Sequence, residues 1–297
     1  MRSIKQVIRA TKVNMGGIIL DQPLPNQHID SLDPFLLIHH WKSELAGGQH
    51  PRDAGVGPHP HRGFSPVTFV YQGGVHHRDS RGNDHIVYAG GTQWMDTGKG
   101  IVHSERPPQH LAEDGGNFEI IQFWINTPAK YKMDQPRYQP LSAGDTPILR
   151  MDNGNVKAGI VAGTYEGIQG PIQIYFPMTI MRITAEADAH FTLNVPAHFN
   201  LLVYQLDGLT IANQDQYIYD KTLIWYDNDD ETMEFQTKQG AEMMLLSGQP
   251  IGEKVNQYGP FVMNNQTEIL EAIRDAQMGK MGVLMGVSTK LCHVNNS

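Results

Sequence analysis

The chain of 297 residues has a single cysteine, Cys292. With no second thiol, neither an intrachain disulfide nor a thiolate metal cluster can form. Long apolar runs are missing too: no stretch approaches the ~18 consecutive apolar residues that a membrane helix needs. The opening MRSIKQVIRA lacks the apolar core of a secretory signal. No run of Lys and Arg breaks the acidic balance, and 31 acidic against 23 basic residues leave a formal charge of −8. The electrostatic footprint for phosphate backbones is therefore lacking, and direct nucleic-acid contact drops out. These absences lead to the expectation of a cytoplasmic protein with no membrane and no direct nucleic-acid partner.

What is present reads as β structure. Short segments rich in Val, Ile, Phe and Tyr sit between Gly- and Pro-bearing turns: SPVTFVYQGG (65–74), DHIVYAGG (84–91), FEIIQFWIN (118–126), IQIYFPMTIMRI (172–183), FNLLVYQLDG (199–208) and AEMMLLSG (241–248). β-Branched and aromatic enrichment at this length favours strands, and many such strands suggest a sandwich, jelly roll or barrel. The spacing predicts one late helix over 265–279, with an apolar stripe at Ile269, Leu270 and Ile273, a cap at Asn265 or Thr267, and Gly279 and Gly282 closing it. TPAKYKMDQPRYQPLSAGDTP (127–147) has linker-like chemistry, with four prolines. It marks a boundary between domains 1–140 and 141–297. Loose similarity between the halves leaves a duplicated β-domain open.

Histidine is distributed unevenly, with eleven of the 14 between His28 and His110. In GPHPHRGF (57–64), His59 and His61 flank one proline. Side chains at i and i+2 of a strand share a face, so both can aim at one point, with Pro60 turned away at a strand end or edge. Alone, such a pair is more often a surface or turn feature. A second pair answers it: GKGIVHSERPP (98–108) holds His103 and Glu105, again at i and i+2 and again after glycines. Three imidazoles and one carboxylate make a mixed N/O set that leaves positions open on an octahedral metal, as non-haem iron(II) chemistry needs. Structural zinc prefers four closed ligands, often sulfur, and fits less well. The adjacent pairs His39–His40 and His76–His77 point to opposite faces of a strand, so each offers one ligand at most. Spacing identifies no partner for His85 or His110.

Together, DPFLLIHHW (33–41), HPHRGFSPVTFVYQGG (59–74), QWMDTGKGIVHSE (93–105), GPFVMN (259–264) and GKMG (279–282) resemble the pirin family of bicupins, in the family's order. The resemblance implies an all-β fold of two antiparallel cupin (jelly-roll-like) β-barrel domains packed together, with a C-terminal helix. It implies metal in the N-terminal domain alone, generally iron, held by His59, His61, His103 and Glu105. FTLNVPAHFNLLVYQLDG (191–208), where a second motif would sit, offers His198 but no His-x-His. Two positions depart from the family pattern: Ser65 stands where pirins commonly carry a glutamate, and His39 replaces an aspartate. The first change takes a carboxylate from near the expected site.

The resemblance further implies cleavage of quercetin or a related flavonol or enol by O2, with a small aromatic substrate bound at the metal. Glu105 is the carboxylate the motifs place there, and so the candidate catalytic base. Fe(II) is the expected metal, and Mn, Ni, Cu or Zn would also suit the donors. The alternative is a non-catalytic, iron-binding regulator that binds a protein partner, with the tail 283–297 as an interaction segment. A monomer is expected.

Overall fold

The computed structural model describes residues 1–284. Cys292, His293 and nearly all of the tail segment lie outside the described residues. Two compact units alternate along the chain. The first takes Met1–His40 and Gly144–Gly252, and the second takes Trp41–Ala143 and the described chain from Glu253. The chain thus changes unit beside the expected 140/141 boundary, and again at 40/41 and 252/253.

In the first unit, strands Ile4–Arg9, Thr222–Tyr226, Asn200–Ala212, Thr232–Gly248, Met178–Ala185, Val156–Ala162 and Ile148–Met151 lie side by side in that order, with His190–Asn194 on Thr232–Gly248 and Gln216–Ile218 on Asn200–Ala212. Alternation makes these strands: in HFTLN, Phe191 and Leu193 are buried while His190, Thr192 and Asn194 are exposed. The inward set, including Met181, Ile183, Leu201, Val203, Met233, Phe235 and Leu245, forms one core. Each such side chain contributes about 1.5–3 kcal/mol by leaving water. Arg2 is wholly buried, and its guanidinium donates to the carbonyls of Asp227, Pro196, Ala197 and Phe199.

The second unit holds two larger sets of strands and the short pair Asn256–Tyr258 and Phe261–Met263. Arg137–Leu141, Thr92–Asp96, Phe64–Gln72 and Gly116–Asn126 are neighbours in that order. Val56–His61, Ile101–Arg106, Gly74–Asp79 and Asp84–Tyr88 form a separate four-stranded sheet. The expected segments at 65–74, 84–91 and 118–126 all become strands. The expected barrels do not form. Among the described residues each sheet is an open path between two edge strands, and none closes on itself. Closure requires the last strand to return to the first with matched tilt and shear. In the four-stranded sheet the edge strand Val56–His61 carries Pro58 and Pro60, which have no N–H to offer a further neighbour.

The late helix runs Gln266–Gln277, with Asn265 capping it by accepting from the Glu268 N–H at 3.0 Å. Its packed side is Ile269, Ala272, Ile273 and Ala276 against Phe261, Met263 and Met281. Leu270, expected in the stripe, is exposed, because Ala272 takes the inward position. No helix among the described residues is long and apolar enough to cross a membrane.

Contacts at Gly63 and Lys132 help bind the late segment to the rest of its unit. Gly63 has φ +88°, and a Cβ there would lie 2.0 Å from the Val262 carbonyl oxygen, so only glycine permits the approach. Lys132, in the segment read as linker-like, is fully buried. Its Nζ donates to Gly63 O (2.5 Å), Asn126 Oδ1 (2.7 Å) and Val262 O (2.9 Å). Replacing Lys132 by Met would leave these three acceptors in a dry place without a donor. Lys132→Met is expected to destabilise the fold by about 2–4 kcal/mol, measured by chemical denaturation; a loss below about 0.5 kcal/mol would contradict this account.

Candidate metal centre

The His-Pro-His strand Val56–His61 pairs antiparallel with Ile101–Arg106, placing His103 opposite His59. The pleat sends His59 and His61 to one side, and the pairing brings His103 there too. The three rings crowd together, with centroids 4.3 Å (His59–His103), 4.7 Å (His59–His61) and 5.0 Å (His61–His103) apart. One ring nitrogen from each lies within 4.8 Å of the others, a site able to hold a divalent metal. Among the described residues it is the one such cluster of His, Cys, Asp or Glu.

The environment suits a cation. His59 Nδ1 donates to Gly57 O at 2.8 Å and His61 Nδ1 to Pro260 O at 3.2 Å. With Nδ1 committed to a carbonyl, each ring presents the Nε2 lone pair for coordination. Both nitrogens of His103 are enclosed without a hydrogen-bond partner, a costly state that coordination would relieve. Burial, reinforced by the neighbouring imidazoles, holds the pKa of His61 and His103 well below the ordinary histidine value. Burial also lowers that of His59, against the Gly57 bond and Glu105, which raise it. Neutral imidazole is the form that binds metal.

Glu105 stands beside the cluster and outside the three-nitrogen set, its Oε2 4.0 Å from His103 Nε2. A ladder across three strands holds it. Gln122, Thr68 and Gln93 are cross-strand neighbours, and all three donate to Glu105: Gln122 to Oε2 at 2.8 Å, Thr68 to Oε1 at 3.2 Å, and Gln93 also to Oε1. The Gln122 amide cannot turn over, because its Oε1 accepts from Trp124 Nε1 at 3.2 Å and indole is only a donor. The sequence signal for these three was a polar residue against apolar neighbours: Thr68 in PVTFV, Gln93 in QWM and Gln122 in IIQFW.

Ser65 lies on the opposite face of its strand from Thr68. Its Oγ donates to Asp96 Oδ1 at 2.8 Å, where Trp94 and Arg137 also converge. The missing family glutamate therefore leaves the surroundings of Glu105 untouched, contrary to the expectation from the motif: an odd separation along a strand reverses the face. The adjacent histidines divide as the pleat requires. His76 turns to Asp84, while His77 turns inward and bonds Asp79 Oδ2 at 3.0 Å. His77 pairs across from Glu105, and Asp79 across from His103. Sequence reasoning gave neither a role, although HRD repeats the i, i+2 rhythm of HPH and HSE. His198 is exposed and takes no part.

Comparison with known proteins agrees with this geometry. The pirin family pattern matches residues 17–125, and that of the pirin C-terminal cupin domain matches 180–282. The chain belongs to the pirin family. Pirin-like protein 2 of Arabidopsis thaliana is 32% identical over 290 residues, spanning 95% of this chain and 86% of that protein. Pirin-1 of the same plant is 31% identical, spanning 95% of each chain. A crystal structure of a quercetin 2,3-dioxygenase from Acinetobacter baumannii superposes with a TM-score of 0.90 at 32% identity, covering 96% of this pirin and 100% of that chain. This bicupin is thus homologous to quercetin 2,3-dioxygenase-like proteins, and the homology supports an oxidoreductase.

The three depressed pKa values carry a pH consequence. Below about pH 6.5 the unfolded chain protonates imidazoles that the fold keeps neutral, so the unfolded state binds more protons and stability falls with pH. The metal-free protein is expected to lose thermal stability from about pH 6.5 downward, and His61→Phe to lose less. Equal losses in the two would show that the cluster is not the source.

Proposed function

We propose that this pirin is a metal-dependent dioxygenase that opens quercetin or a related flavonol with O2, with His59, His61, His103 and Glu105 holding one metal ion, iron(II) in the cell. The observation that carries this reading is the three-imidazole cluster, with His61 and His103 buried and His59 half-buried, set in a chain that aligns nearly end to end with a solved quercetin dioxygenase. The metal-binding part is the N-terminal domain 1–140, and the domain 141–297 carries no metal. The enzyme is read as a cytoplasmic monomer, in keeping with the acidic charge and the single cysteine.

When bound, the metal supplies Lewis acidity that lowers the pKa of a coordinated hydroxyl. The protein's own groups do the rest. Carbonyls of Gly57 and Pro260 hold His59 and His61 in the coordinating tautomer. Glu105 accepts the proton of the flavonol 3-hydroxyl, and Gln93, Gln122 and Thr68 hold the carboxylate for that task. Phe64 and Trp124 rings pack against His61 and keep that side of the cluster dry. O2 then adds to the flavonol, the ring opens, and carbon monoxide leaves.

Anaerobic iron(II) loading followed by oxygen uptake with quercetin tests the reading. Uptake with carbon monoxide release is expected in the native protein and is expected to be abolished in His61→Ala, which also loses the metal. Tight metal binding without uptake would overturn the dioxygenase assignment. In Glu105→Gln the rate is expected to fall by about 10²–10⁴-fold, the usual contribution of a positioned base; an unchanged rate would remove Glu105 from that role.

A further inference from the structure

Some of the enclosed polar atoms that lack a hydrogen-bond partner gather around one carboxylate. They are the two ring nitrogens of His103, Gln93 Oε1 and the Tyr138 hydroxyl. A metal accounts for a His103 nitrogen. It accounts for neither Gln93 Oε1 nor the Tyr138 hydroxyl, since amide oxygen and neutral phenol are outside the expected ligand set.

Strand geometry puts Tyr138 on the metal-facing side. Tyr138 lies opposite Met95, and so on the face that Met95 shares with Gln93. Its chain neighbours Arg137 and Gln139 turn the other way and bond Asp96. The Tyr138 ring stacks on His77, with centroids 3.9 Å apart and planes 5° from parallel, and His77 lies 5.4 Å from His103. The residue keeps some exposure while its hydroxyl has none, so the polar end is the inner end. Burial raises the phenol pKa, and Glu105 and Asp79 raise it further, which keeps the O–H in place as a donor.

A buried hydroxyl with no protein acceptor forfeits a hydrogen bond that it would make in water. We propose that the Tyr138 hydroxyl donates to an oxygen of the organic molecule held at the His59–His61–His103 centre. Gln93 Oε1 accepts from a hydroxyl on the same molecule. Together they select ligands in which a hydroxyl stands beside a carbonyl-type oxygen. Tyr138 is then a substrate-binding residue, and the stack on His77 sets its direction. The inference rests on the dioxygenase site proposed above and names side chains that would hold its substrate.

Tyr138→Phe keeps the ring and its stack and removes only the hydroxyl. The test loads native and variant proteins with nickel(II) under anaerobic conditions, so that no O2 is present for turnover. It then titrates each with maltol, a small ring carrying adjacent hydroxyl and ketone oxygens, by calorimetry. The variant is expected to bind nickel within about twofold of the native protein, and maltol about tenfold more weakly, the worth of one hydrogen bond. Equal maltol affinity in the two proteins would overturn the inference, as would a native nickel site that takes no maltol. A parallel loss of nickel affinity would also overturn it, by making Tyr138 a support for the histidines. Tyr138-dependent maltol binding in a protein that does not turn over quercetin would uphold the inference and overturn the dioxygenase reading alone.

Discussion

Crowding three imidazoles out of water penalises the protonated form of each, and a second positive ring deepens the penalty for its neighbours. The cluster is stable only with neutral rings, and neutral rings must be turned the right way. The turning is done from outside, by carbonyls that accept Nδ1–H from His59 and His61. One of those carbonyls, Pro260 O, comes from a segment about 200 residues along the chain. That segment must lie close, and the close approach explains the glycine at position 63 and the buried lysine at 132. GPFVMN (259–264), which the sequence marks only by resemblance, acquires a physical task in this way. It holds the far side of the His61 ring.

The strands Thr92–Asp96, Phe64–Gln72 and Gly116–Asn126 perform two jobs on two faces. One face carries Val67, Phe69, Ile121 and Phe123, almost wholly removed from water, and supplies hydrophobic stabilisation. The other carries the Gln122–Thr68–Gln93 ladder, which holds Glu105 through neutral donors. Neutral donors suit this position. A lysine or arginine there would add positive charge beside a site able to hold a divalent metal. The bond from Trp124 to Gln122 fixes the amide, so the carboxylate meets N–H and never C=O.

The first unit has the same strand-rich construction but no equivalent histidine cluster among its described residues. Its main core cluster is apolar, and the wholly buried guanidinium of Arg2 is spent on carbonyls. The open sheets of both units leave edges, and prolines at Pro58, Pro60 and Pro140 remove donors from edge strands. An edge is also where a His-Pro-His strand can sit without losing a ladder bond.

Much of the centre was legible in the sequence because strand periodicity is local. His59 and His61, then His103 and Glu105, stand at i and i+2, and the pleat alone puts each pair on one face. The strand segments and the capped helix were legible for the same reason, since alternation and capping act within a few residues. Which strands become neighbours is decided at long range. That is why Thr68, Gln93, Gln122, His77 and Tyr138 gave no signal beyond a polar residue out of place, and why Ser65 was read toward Glu105 when it faces Asp96. It is also why barrels were expected where the sheets stay open. The sequence by itself determined which histidines and which carboxylate share a face. Only the tertiary structure decided how Glu105 is held, which carbonyls aim the rings, and which hydroxyl is left to meet a ligand, because those depend on pairings between segments far apart in the chain.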